Sequence, residues 1–383
     1  MKILGWVLKA LAALAIVAAV LGLWKREEIT RLLAVNTLFE PENIVQNFSH
    51  MDDLFFHVPL SRGAGPVSPL PLGPQAVLSA EAEKWIVERA VTGLVMIKNG
   101  QLVQDRYFLQ TDPLDRRISW SVAKSFLASL YGVLDAEGLM PPLDTPVVDV
   151  VPELAGSAYD GASIRDVMTM SSGVAFNEDY LDFWSDINKM GRVLALGGSM
   201  DGFAAGLTTR AAEPGSRWHY VSIDTHVIGM VIRGATGQDI PALLNNRILE
   251  PMGLEADPYY LSDGDGVSFV LGGLNLRTRD YARFGQMILQ GGQWQGKQVV
   301  PADWVQAMTR PQAKDGSLYG FQWWIPDDPA PGEVMAQGIY GQWIYINPGL
   351  GVVIAVNSAD RGFEDPGVYD ASVEMLRSMA AGL

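Results

Sequence analysis

The sequence predicts an α/β fold of the α+β kind: an antiparallel sheet built from both chain ends, flanked by helices, with a mostly helical lobe inserted between them. Three observations predict it. Asn99-Gly100 joins two β-rich runs in GLVMIKNGQLVQDRYF, a strong hairpin signal. GQWIYINPGLGVVIAVNS repeats that pattern about a tight Asn-Pro-Gly turn near the other end. The long stretch between them shows mainly helical periodicity and loops, so one sheet drawn from both ends with the lobe between is the economical assembly.

The chain begins with MKILGWVLKALAALAIVAAVLGLWKREE, whose apolar run from Ile3 to Trp24 is broken only by Lys9 and is long enough to cross a bilayer. Residues 1–26 are read as a membrane anchor. A cleaved signal peptide is the alternative, but its small-x-small sites, Ala10 to Ala12 and Ala13 to Ala15, fall inside the apolar run rather than after it. Orientation stays open, because Lys2 and Lys9 on one side are nearly balanced by Lys25, Arg26 and Arg31 on the other.

Residues 27–78 form a strap or linker, because PLSRGAGPVSPLPLGP is too rich in Pro and Gly for a regular element. A main domain follows over 79–383, its sheet lobe at about 79–118 and 330–383 and its helical lobe at about 119–329. Ser79 caps a helix with acidic residues in its first turn and Trp85, Ile86 and Ala90 on one face. A last helix is expected from about Val368 to Ala381.

Composition narrows the function. With 383 residues the chain can bury a large core, and a net charge of −15 argues against nucleic acid as a ligand, since such binders concentrate Lys and Arg. Cysteine is absent, which removes disulfides, thiolate nucleophiles and cysteine metal sites.

The chemistry centres on SWSVAKSF. Ser121 lies three residues before Lys124, a spacing common enough by chance to mean little alone. The helix that follows, with Val122, Phe126, Leu130, Val133 and Leu134 at helical spacing, puts Ser121 in its first turn, where unpaired amides and the positive dipole end favour an oxyanion. Nearly one turn on, Lys124 shares its face. Burial would lower the lysine pKa and make it a base, whereas the bland reading is an exposed lysine beside a capping serine.

About a hundred residues later, Tyr220-Val221-Ser222 offers a phenol and a hydroxyl two residues apart, and a tyrosine near a lysine shuttles protons. In VMAQGIYGQWIYI, Gly338 is placed at the start of a strand, with no side chain to block a substrate backbone. The Ile339 amide is the natural second oxyanion donor.

A helix-borne Ser-x-x-Lys, then Tyr-x-Ser, then a Gly-containing edge-strand motif resembles the serine β-lactamase and penicillin-binding-protein superfamily from about Thr92 onward. IRDVMTMSSGVAFNEDY and GGLNLRTRDYARFGQMIL are similar to its helix-to-loop and Gly-turn-helix segments, and YGFQWWI and GIYGQWIYINP look most like the branch of 6-aminohexanoate-oligomer hydrolases and related esterases. The resemblance implies a metal-independent serine hydrolase that needs no cofactor. It would cleave a small-molecule or short-peptide ester or amide through an acyl-enzyme on Ser121, with Lys124 and Tyr220 catalytic and Ser222, Gly338 and Ile339 supporting.

Tyr180 is a further substrate-binding candidate by resemblance, as is Gln337, which stands where many relatives carry the Lys or His of Lys-Thr-Gly or His-Thr-Gly. That departure weakens the reading as a β-lactam-hydrolysing enzyme or D-amino-acid peptidase active on peptidoglycan. A catalytically silent binding protein is the remaining alternative, opposed by the presence of all three catalytic residues. The apolar start implies anchoring in a bacterial inner membrane with the catalytic domain on the periplasmic or outer side; oligomeric state is not legible.

Other features read as structural. His219 and His226 flank the tyrosine motif, but neither Gly-x-Ser-x-Gly nor His-Glu-x-x-His occurs. Gly272-Gly273 lacks the strand-loop-helix context of a phosphate site. Trp323, Trp324 and Trp343 are expected as buried strand aromatics or cleft walls.

Overall fold

The structure is a computed structural model that describes residues 2–383. Its strands run β1 (His57–Pro59), the hairpin β2 (Val91–Lys98) and β3 (Gln101–Tyr107), β4 (Arg117–Ile118), β5 (Tyr259–Leu261), β6 (Leu274–Leu276), the ribbon β7 (Gln293–Trp294) and β8 (Lys297–Gln298), then β9 (Val334–Gly338), β10 (Gln342–Asn347) and β11 (Val352–Ser358). The main sheet has the order β3-β2-β11-β10-β9 and is antiparallel throughout. Its centre is the β2–β11 pair, where the two ends of the domain meet as the sequence predicts.

Side chains on β2 alternate between two cores, as the two-residue strand period requires. Val95 and Ile97 face the larger core, with Phe126 and Phe284, while Leu94 and Met96 face Trp85 and Ile86 of the Ala80–Glu88 helix and Leu376 and Met379 of the Val368–Ala381 helix. On the larger side the Thr278–Leu289 helix approaches closely at Gly285, where a Cβ would lie 2.6 Å from Val353 Cγ1 and 2.7 Å from Ile344 Cγ2.

A second sheet, β1-β5-β6-β4, that the sequence reading does not anticipate joins one strand of the strap and one from residues 117–118 to two strands of the helical lobe. Pro59 sits in its edge strand β1, opposite Tyr259, where a missing N–H is tolerated.

The strap is more than a tether. Its first element, α2, spans Arg26–Thr37 and packs on the Asp186–Leu196 helix, and Arg31 Nε donates to Ala195 O at 3.0 Å. Leu38, Ile44, Phe48 and Met51 then enter the main core. The buried Arg117 guanidinium ties this segment down, donating to Val45 O at 2.7 Å and Ser49 Oγ at 2.6 Å.

Ahead of α2 lies α1, Lys2–Trp24, of which Leu4–Trp24 is long and apolar enough to cross a membrane and is not buried against the protein. It runs on into α2 through Lys25, whose amide donates to Leu21 O and whose carbonyl accepts from Ile29.

Candidate active site

Ser121 occupies the N-cap of the Val122–Ala136 helix, but its hydroxyl makes no capping bond. Lys124 is 1% exposed. The pair is therefore not the exposed lysine and capping serine of the bland reading. Lys124 Nζ donates to Leu271 O at 3.1 Å, so the turn ending in Gly272-Gly273 serves to hold the lysine. The amine stands 5.6 Å from the centre of the Tyr220 ring.

Burial dominates the electrostatics of Lys124 and lowers its pKa to about 7, against the opposing pull of Glu178 and Asp224. Asp224 is itself pushed up to about 8 by burial, so it is mostly neutral at pH 7. Of the two acids, Glu178 has the larger influence on the lysine. Its pKa is raised by burial, with Lys124 and the Ser222 amide pulling the other way.

Glu178 is the residue the sequence reading misses. Its carboxylate accepts from the Ser222 amide, from Ser222 Oγ at 3.3 Å and from Tyr180 Oη at 2.9 Å. The acid thus binds together two residues that were singled out for other reasons. The available signal was its place in FNEDY, two residues before Tyr180.

Tyr220 precedes the Ser222–Thr236 helix on a loop, with the hydroxyls of Ser121 and Ser222 near its phenol. Burial first, then Glu178, raises its phenol above the ordinary range. Trp324 packs against its ring at 5.2 Å.

Gly338 ends β9 instead of starting a strand; β10 begins only at Gln342, so the motif sits at the exit of the edge strand. A Cβ there would lie 2.7 Å from Ser119 O and 3.0 Å from Ser121 N. Among the described residues, neither the Ser121 nor the Ile339 amide donates to a backbone carbonyl. Two free amides therefore flank the serine hydroxyl.

The backbone on both sides of this gap is strained. Trp120 has φ 42° and Tyr340 φ 58°, a region costly for aromatic residues. Phe39 of the strap stacks on Tyr340 at 4.7 Å, and Phe48 meets both Trp120 and Tyr340 at 5.5 Å. The strap thereby clamps the two residues that neighbour the free amides.

Two clefts meet at Ser121. The first encloses about 860 Å³ and is lined by Tyr220, Trp324, Gln337, Trp343 and the Arg89–Asp360 ion pair; the second, about 1220 Å³, lies on the far side of Tyr180 and is mostly apolar. Gln337 Nε2 donates to Tyr369 Oη at 3.3 Å. Trp323 is buried in the core, apart from the cleft. His226 bonds Asp201 at 2.7 Å beside Arg233, and His219 lies 3.5 Å from Phe176 O.

Comparison with known proteins gives the family and supports the fold. The chain matches the Beta-lactamase family over residues 81–377. It is 29% identical over 291 residues to the 6-aminohexanoate-dimer hydrolase of Paenarthrobacter ureafaciens, covering 72% of this chain and 74% of that one. A solved Bacillus anthracis structure provisionally described as a 6-aminohexanoate-dimer hydrolase superposes with a TM-score of 0.80 at 23% identity, over 90% of this chain and 95% of that one. A family VIII carboxylesterase superposes with a TM-score of 0.57 at 16% identity, over 81% and 99%.

Proposed function

Because the chain belongs to the Beta-lactamase family and is a hydrolytic enzyme, we propose that it cleaves an ester or amide through a covalent acyl-enzyme on Ser121. The observation that carries this is the buried Lys124, one turn from Ser121 and with a pKa of about 7, which leaves a large neutral fraction at physiological pH.

Neutral Lys124 takes the Ser121 proton as Oγ attacks the substrate carbonyl. The resulting oxyanion lies between the Ser121 and Ile339 amides, in the space that Gly338 keeps open. Tyr220, protonated because burial raises its pKa, gives its proton to the leaving group as the carbonyl–leaving-group bond breaks, and is reprotonated from the Lys124 ammonium. Water then adds to the acyl ester and releases the acid and free Ser121.

Gln337 supplies no charge for a β-lactam carboxylate, and the one guanidinium lining the first cleft, Arg89, is paired with Asp360 at 3.3 Å. An uncharged ester or an amide suits that cleft better. The similarity to the 6-aminohexanoate-dimer hydrolase of Paenarthrobacter ureafaciens supports the amide reading. The length and exposure of α1 support anchoring in a membrane, and the proposal places the catalytic domain outside the cytoplasm.

Intact-mass measurement after exposure to a fluorophosphonate tests the assignment. One adduct is expected on the wild-type chain and none on Ser121→Ala, which also loses p-nitrophenyl acetate hydrolysis. Activity surviving in that variant would overturn the nucleophile.

A further inference from the structure

The second cleft reaches Ser121 from the side opposite the proton donor. Tyr220 lines only the first cleft, so a leaving group that takes its proton lies there, and the acyl group must extend into the second. Leu38, Phe55, Met190, Leu194, Phe269 and Leu271 are among its walls. These walls offer an acyl chain apolar burial, beside polar groups at Asn36, Asn188 and Arg192.

The mouth of this cleft carries exposed apolar side chains, with the Arg192 guanidinium 4.2 Å from the centre of the Phe183 ring. Leu181 is 79% and Phe183 53% exposed, both lining the cleft, and Trp184, 71% exposed, packs edge-on to Phe183 at 5.0 Å. The opposite wall is the end of α2, at Val35 and Asn36. Helical rise of about 1.5 Å per residue puts Val35 only about 16 Å along the chain from Trp24, where the apolar span of α1 stops. Exposed Trp and Phe close to the end of a membrane-spanning helix are what an interfacial belt consists of.

We infer that the second cleft is an acyl-chain site opening at the membrane surface, and that the substrates are esters or amides of long apolar acids taken from the bilayer. This rests on the acyl-enzyme at Ser121 proposed above. The first cleft, which holds Tyr220, then receives the leaving alcohol or amine. Burial of each methylene strengthens binding by about fourfold, so acyl length, and not leaving-group length, governs specificity.

Gly191 offers a clean probe. It lines the cleft on the Asp186–Leu196 helix, and a Cβ added there meets nothing within 4 Å, so Gly191→Trp brings an indole into the cleft from an open position. The full-length chain in phosphatidylcholine vesicles is assayed with p-nitrophenyl acetate and p-nitrophenyl decanoate. Zwitterionic lipid is chosen because the mouth loop also carries Asp179 and Asp182.

The wild type is expected to favour decanoate at least tenfold in kcat/KM, and Gly191→Trp to lower the decanoate-to-acetate ratio at least tenfold while Gly191→Ala leaves it as it was. Trp184→Ser should lower the ratio of vesicle-borne decanoate to dissolved acetate turnover several-fold. A wild type that prefers acetate, or a Gly191→Trp variant that loses both esters in equal measure, would overturn the acyl site. A Trp184→Ser ratio equal to wild type would overturn its opening to the membrane. Ser121→Ala distinguishes these failures from failure of the underlying reading: inactivity on both esters keeps the nucleophile, and activity on either removes it.

Discussion

Gly338 lies so close to Ser121 that a methyl group in its place would stand 3.0 Å from the Ser121 nitrogen and 2.7 Å from the carbonyl oxygen of Ser119. Both neighbours are backbone, so neither yields by rotating a side chain. The glycine therefore sets the distance between the exit of β9 and the start of the Val122–Ala136 helix. Gly338→Ala should push the two apart and lower kcat/KM on p-nitrophenyl acetate by about a hundred- to a thousandfold, the usual effect of losing one oxyanion donor. Circular dichroism should show an unchanged fold; a variant as active as wild type would mean that this contact does not shape the site.

Glu178 faces Lys124 and favours its charged form, in opposition to burial. Removing the carboxylate charge leaves burial less opposed, so the lysine pKa falls below about 7. Activity that needs neutral Lys124 disappears as pH falls through that pKa. In Glu178→Gln the acid limb of the kcat/KM profile is thus expected at lower pH than in wild type. A limb that stays in place or moves to higher pH would show that Glu178 does not act on the lysine.

The trio proposed as catalytic could be picked out because each member belongs to a local pattern: a serine and lysine one turn apart at a helix start, and a tyrosine two residues before a serine. The hairpins were legible for the same reason, since Asn99-Gly100 and Asn347-Pro348-Gly349 specify their own turns. Glu178 was not, because it is one of several acids in a loop and gains its role only when that loop folds onto the Ser222 amide. The small sheet escaped because its strands are two or three residues long and pair across the chain, as His57 does with Leu261. The strap misled through its prolines. Their number hid Leu38, Phe48 and Met51, which precede them and enter the core.

Gly285 gives a stability test in which two effects compete. Replacing a mid-helix glycine by alanine gains about 1 kcal/mol in helix propensity, whereas overpacking a core costs about 1–3 kcal/mol. The added methyl would lie 2.6 Å from Val353 and 2.7 Å from Ile344, both β-branched and stiff, so crowding should win. Gly285→Ala is expected to lose about 1 kcal/mol net and to lower Tm by a few degrees in a thermal melt. A higher Tm would mean that the helix and sheet separate at little cost.

Membrane attachment is separable from catalysis. The full-length chain should fractionate with membranes, while a chain starting at Glu27 keeps nearly all of α2 and its Arg31–Ala195 bond and should be soluble and active on p-nitrophenyl acetate. A reporter fused after Leu383 should work only outside the cytoplasm. Recovery of a mature chain beginning within or just after the apolar run would identify α1 as a cleaved signal instead.

Lys124 and Tyr220 should fail in different ways. The lysine takes a proton when Ser121 attacks, a step every substrate shares. The tyrosine gives a proton when the leaving group departs, and the need for that proton depends on the leaving group. Nitrophenolate departs as a stable anion, whereas an alkoxide or amine departs with difficulty unless protonated. General acid catalysis is worth about a hundred- to ten-thousandfold, so Tyr220→Phe is expected to lose that much more rate on an amide or alkyl ester than on a p-nitrophenyl ester. Lys124→Ala should be severely impaired on both. The raised phenol pKa fits a donor, because it keeps the proton on Tyr220 across the working pH range. Equal losses for Tyr220→Phe on good and poor leaving groups would place its action in the activation of Ser121, beside Lys124, and would remove the proton relay.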